Sequence, residues 1–160
     1  MLTRDDIIDG IREIIVRLRA ADKNASMQIV GGAAIALTID EARPMTVDVD
    51  GPITPSEDVM AAAASIARER GWPADWVNDR AGIFLPDGMG RSAEWVTLYD
   101  QDGIIVQAAS PATLLAMKLR AFERRGLRDA DDVATLLAIL GIRTAEEAEN
   151  LLNDFSQLRT

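Results

Sequence analysis

The stretch MQIVGGAAIALTI, residues 27–39, forces a change of structure early in the chain. Residues 27–30 form a short apolar run that suits a buried strand. Gly31-Gly32 breaks that run. Residues 33–39 then read as a short helix. A strand that turns into a helix at a glycine pair belongs to a mixed α/β layering.

The remaining pattern points the same way. Ile7, Ile8, Ile11, Ile14, Ile15 and Leu18 recur at helical spacing, which predicts a helix over 5–20 capped by Thr3 with Asp6. Met45, Val47 and Val49 alternate with Thr46, Asp48 and Asp50, which is strand periodicity. Thr54-Pro55-Ser56-Glu57 reads as a helix start, with Thr54 as cap and Pro55 in the first helical position; that helix runs to residue 70, before Gly71. Residues 82–85, 95–99 and 104–108 read as strands, the last two joined in a hairpin by Asp100-Gln101-Asp102-Gly103. Ser110-Pro111 opens a helix to residue 125, interrupted at Gly126. Further helices are expected over 129–140 and from a Thr144 cap to residue 158. The expected fold class is α/β of the α+β kind: a mixed β-sheet with helices on one side, followed by a C-terminal helical segment. The 160 residues fit one domain, with a core over about 27–109 and helices over about 111–158.

Composition narrows the chemistry. The chain has no Cys and no His. Disulfides, thiolate metal sites, cysteine nucleophiles, Ser-His-Asp triads and HExxH zinc sites are therefore excluded. Carboxylates, Lys, Arg, hydroxyls and backbone amides remain, and such hard oxygen donors suit Mg²⁺ or Mn²⁺. A formal charge of −9 disfavours an extended nucleic-acid-binding face but leaves room for a local basic pocket. No basic stretch followed by an apolar run opens the chain, and no apolar run has membrane-spanning length. A cytoplasmic protein with no membrane contact is expected.

Three clusters could carry function. On a strand, Asp48 and Asp50 share a face, and two neighbouring carboxylates repel unless a cation offsets them. They are either a divalent-metal pair or the polar outer face of a half-exposed strand. Gly31-Gly32, ahead of a helix, could let a phosphate approach the backbone, or could simply be a tight turn. Arg43 lies between these features, as a phosphate contact or a solvated loop charge. The run KLRAFERRGLRDADDV, residues 118–133, is basic within an acidic chain. Lys118, Arg125 and Arg128 recur at helical spacing and could form a strip that holds a triphosphate. Alternatively the arginines favour a helix end, and Asp129 with Asp132 is an ordinary helix start.

Together, Val30-Gly31-Gly32 and then Asp48-Val49-Asp50 resemble the signature of the minimal nucleotidyltransferase fold: a hydrophobic residue, Gly-Gly or Gly-Ser, a spacer, and Asp-hydrophobic-Asp/Glu. The segment ARPMTVDVD is similar to the Arg-x-x-Thr-x-Asp-hydrophobic-Asp run of small bacterial members. Lys118-x-x-Ala121-x-x-x-Arg125 with Arg128-Asp129-x-x-Asp132 is similar to the later motif of the abortive-infection (AbiEii-like) nucleotidyltransferase toxins. The resemblance covers about residues 27–140. It implies NTP phosphates at Gly31 and Gly32, with Arg43 alongside, and Mg²⁺ (or Mn²⁺) on Asp48 and Asp50. It implies the triphosphate steadied by Lys118 and Arg125, and a further acid or base at Asp129 or Asp132, Asp129 first. The implied reaction transfers NMP from an NTP to an unidentified acceptor, RNA or protein, as in a toxin held by an antitoxin partner. The alternative is an inactive nucleotide- or partner-binding module on the same fold. Many active members carry a third carboxylate on a neighbouring strand; here Glu94 and Asp100 flank the strand expected over 95–99.

Overall fold

A computed structural model describes residues 1–43, 46, 48–86 and 89–156, apart from the side chains at 123, 125 and 127. The fold is mixed α/β, as expected. The described residues group into two compact units, one of Met1–Gly82 with Val96–Ala108, the other of Ile83–Trp95 with the chain from Ala109 onward.

The first unit opens with α1 (Arg4–Ala20), whose start is a complete capping box: Thr3 accepts from the Asp6 amide, and Asp6 accepts from the Thr3 amide. β1 (Ala25–Ile29) follows, then α2 (Gly31–Thr38), β2 (Val49–Asp50), β3 (Ile53–Thr54), α3 (Ser56–Arg70) and β4 (Val77–Asn78). β5 (Trp95–Gln101) and β6 (Ile104–Ala109) form the expected hairpin, with Asp102 and Gly103 both at positive φ in its turn. The main sheet is mixed, in the order β3-β1-β6-β5: β1 is antiparallel to β3 and parallel to β6. Ala25, Met27 and Ile29 of β1 and Ile104, Val106 and Ala108 of β6 are buried, while the residues between them are half-buried, the alternation of a sheet with one core face. A second, two-stranded parallel sheet pairs β2 with β4.

α1 and α3 pack on each other, burying Ile7, Ile11, Ile14 and Leu18 from one and Val59, Ala63 and Ile66 from the other. Trp76 is fully buried, and its indole N–H donates to the Ala63 carbonyl at 2.8 Å. Gly10 makes room for that ring, since a Cβ there would lie 2.5 Å from it. The carbonyl of Trp76 in turn receives the Val49 amide at 2.6 Å. Core packing thereby sets β4, and β4 sets β2.

In the second unit, α4 (Pro111–Arg125) starts as expected, with Ser110 accepting from the Thr113 amide and Pro111 in the first turn. α5 (Ala130–Leu140) and α6 (Ala145–Ser156) follow, α6 capped by Thr144. Phe155 packs with Ala112 and Ala116 and against Leu140, Leu151 and Leu152, under the guanidinium of Arg91 at 4.8 Å. The described residues hold six helices, and none is long and apolar enough to cross a membrane.

Three local expectations are corrected. Thr54 is a strand residue paired with Ser26, so Pro55 is the cap position of α3 and no side chain caps it. Residues 82–85 do not form a strand: Arg80–Phe84 is a 3-10 turn. Its amides bond to Asn78 and Asp50 side chains and to the Asp79 carbonyl, and none of its residues is buried, so nothing holds it in a ladder. The strand expected through Thr46 and Asp48 shrinks to Val49–Asp50; Thr46 bridges Leu2 instead. Met45 and Val47 lie outside the described residues, as does the end expected for the last helix, at residue 158.

Candidate functional site

Gly31, Gly32, Arg43, Asp48 and Asp50 all belong to the first unit. An antiparallel bridge joins Val30 to Asp50, the Val30 amide donating to the Asp50 carbonyl at 2.8 Å. The glycine turn therefore begins one residue from the backbone partner of Asp50. Gly31 has φ +65°, the left-handed region that only glycine enters without strain, and no atom lies within 4 Å of where its Cβ would be. Gly32 is tight for a different reason. A Cβ there would meet the Arg43 guanidinium at 2.6–2.9 Å, so the guanidinium lies against the space a side chain would fill. The turn, the arginine and the aspartate strand form one locality.

The two carboxylates converge on a single short segment, residues 78–81. Asp48 Oδ2 accepts from Asn78 Nδ2 at 2.9 Å and from Arg80 Nη2 at 3.0 Å. Asp50 Oδ1 accepts from the Ala81 amide at 3.0 Å. Arg80 also holds Asp75 at 3.2 Å through Nη1 and Asn78 Oδ1 at 3.2 Å through Nε. The cation that two neighbouring aspartates require is thus supplied here by the chain itself. Charge-assisted bonds of this kind are short and directional. Asp48 keeps partial contact with solvent, at 23% exposure, and Arg80 keeps more, at 62%.

Lys118, Asp129 and Asp132 belong to the second unit. Lys118 Nζ donates to Asp129 Oδ1 at 2.8 Å and to Asp132 Oδ2 at 3.0 Å, and all three side chains are close to buried. Asp129 stands at the cap position of α5 yet makes no side-chain cap bond there. This group ties α4 to the start of α5, and it already uses two of the three Lys118 donors. The Arg125 side chain lies outside the described residues. Glu94 pairs with Arg91 at 2.7 Å, and Asp100 is an exposed residue of β5. Among the described residues, no three His, Cys, Asp or Glu side chains form a group that could hold a metal ion.

Asn78, Arg80 and Asp75 were not foreseen from the sequence. β4 has two residues, too few to show strand periodicity, and Arg80 reaches Asp48 across 32 positions. No local pattern signals such a partner. The chain matches no family model, no curated protein and no solved structure.

Proposed function

We propose that this chain is a nucleotidyltransferase-like protein that takes an NTP with Mg²⁺ (or Mn²⁺) and transfers NMP to an RNA or protein acceptor. The Val30–Asp50 bridge carries this reading, because it sets the Gly31-Gly32 turn, with Arg43 over Gly32, against the aspartate strand. Bare glycine backbone admits a phosphate closely, and a guanidinium matches phosphate oxygens in a fork. The donor chemistry fits the metal: Mg²⁺ is commonly held by one or two carboxylates together with substrate phosphates, and Asp48 and Asp50 are of that kind. When bound, such an ion neutralises phosphate charge. Asp48 and Asp50 would hold it, and Gly31, Gly32 and Arg43 would orient the triphosphate. The acceptor hydroxyl oxygen bonds to the α-phosphorus and its proton passes to solvent, as the bond to the β-phosphate oxygen breaks and pyrophosphate leaves. A toxin role, an antitoxin partner and a cytoplasmic location belong to the same proposal.

The test is thermal. An NTP with Mg²⁺ should raise the melting temperature, as any ligand selective for the folded state does. Asp48→Ala with Asp50→Ala should abolish the rise. No rise with any of the four common NTPs would sink the reading.

One observation favours a second reading, a non-catalytic nucleotide- or partner-binding module. Asp48 is already neutralised by Arg80, and no third carboxylate joins the pair among the described residues. That module would give the melting shift with no transfer of α-³²P label to cellular RNA or protein.

A further inference from the structure

Arg80 holds three partners through three different nitrogens. Only Nη2 touches the aspartate pair, at Asp48. Nη1 stays on Asp75 and Nε stays on Asn78. Losing the Asp48 bond would therefore leave the guanidinium anchored at two points. Asn78 prepares the exchange from the other side. Its Nδ2 holds Asp48 Oδ2 while its Oδ1 holds both the Nε and the backbone amide of Arg80. Asp48 thus stays oriented when its arginine lets go.

We propose that Arg80 is a built-in counter-ion that a divalent cation displaces from Asp48, so that cation entry at the aspartate pair is regulated by the release of one guanidinium bond. The proposal rests on the reading of Asp48 and Asp50 as a cation-holding pair. Three physical points support it. The pair is solvent-accessible, and exposed ion pairs are weak enough to exchange. A divalent ion has twice the charge of the guanidinium and binds carboxylate oxygen directly. The arginine remains charge-compensated by Asp75 after release. The contact keeps the carboxylate ordered and charge-compensated until a better cation arrives, at the expense of some affinity for that cation.

Mn²⁺ alone, titrated into the full chain without nucleotide and followed by the electron paramagnetic resonance signal of the free ion, tests this. Arg80→Gln should bind Mn²⁺ about fivefold more tightly than the native chain, the worth of one exposed ion pair. Arg80→Lys, which keeps the charge, should bind it no more tightly than the native chain. Asp48→Asn should bind poorly whether residue 80 is Arg or Gln. Circular dichroism melting establishes that each variant is folded. If Arg80→Gln gains nothing while Asp48→Asn and Asp50→Asn lose binding, the counter-ion role is wrong and the cation site stands. If no folded variant binds Mn²⁺ at millimolar concentration, the site and the counter-ion role both fail.

Discussion

Two ion networks in this protein use the same chemistry in opposite settings. Arg80 holds Asp48 and Asp75 where water reaches all three side chains. Lys118 holds Asp129 and Asp132 where almost none does. In the first, high dielectric makes each bond weak and exchangeable. In the second, the charges have lost their hydration and depend on one another. Arginine and lysine divide accordingly. The planar fork of Arg80 spreads over three partners and can release one. The point charge of Lys118 bridges two carboxylates and fixes the entry to α5. The aspartate pair and the basic run over 118–133, both candidate site clusters in the sequence, therefore sit in different settings. One is reached by solvent, and the other joins α4 to the start of α5.

The largest test of that contrast is Lys118→Ala. It takes the Lys118 charge away from two nearly buried carboxylates and should cost about 3–5 kcal/mol in urea unfolding. Replacing the whole group with apolar side chains, as Lys118→Met, Asp129→Leu and Asp132→Leu together, should recover most of that loss. If Lys118→Ala melts like the native chain, the buried network is not holding α4 to α5.

Gly31→Ala gives a site effect with no charge in it. Its Cβ would meet nothing, so the loss of about 1–2 kcal/mol comes from the left-handed backbone alone. Gly32→Ala forces the Arg43 guanidinium away from the turn and should remove the NTP-induced melting shift. A Gly32→Ala variant that keeps the shift would detach Arg43 and the glycine turn from nucleotide binding.

Arg80→Gln should change stability by no more than about 1 kcal/mol. The smallest effect is salt. Raising NaCl to about 1 M shortens the screening length to about 3 Å and should erase the Arg80→Gln difference while leaving that of Lys118→Ala in place. Equal salt sensitivity of the two variants would break the contrast.

Much of the fold was legible because its signals are local. The Thr3–Asp6 box, the Ser110-Pro111 start, the Asp102-Gly103 turn and the stop at Gly71 each lie within a few positions of the structure they cause. The failures share the opposite property. Residues 82–85 carried an apolar run typical of a strand, but no neighbouring strand takes their backbone. Thr54 had cap chemistry, but pairing with Ser26 claimed it first. At the site, the resemblance grouped Gly31 and Gly32 with Asp48, Asp50 and Lys118; the Val30–Asp50 bridge sets the glycine turn beside Asp50, and Lys118 belongs to the other unit. Asp48 was foreseen as a strand residue sharing a face with Asp50, and it lies outside the strand.

By itself the sequence determined the order of the six helices, the β5–β6 hairpin, the glycine turn, the absence of imidazole and thiol chemistry, and which side chains carry charge. Tertiary structure alone decided which charges meet. Arg80 finds Asp48 because Trp76, buried beside Gly10, receives the Val49 amide and fixes β4 next to β2. Lys118 finds Asp129 and Asp132 because a helix ends, turns and restarts within the span between them. Helix caps and turns are satisfied by neighbours in the chain, whereas a carboxylate takes whatever cation packing brings near it.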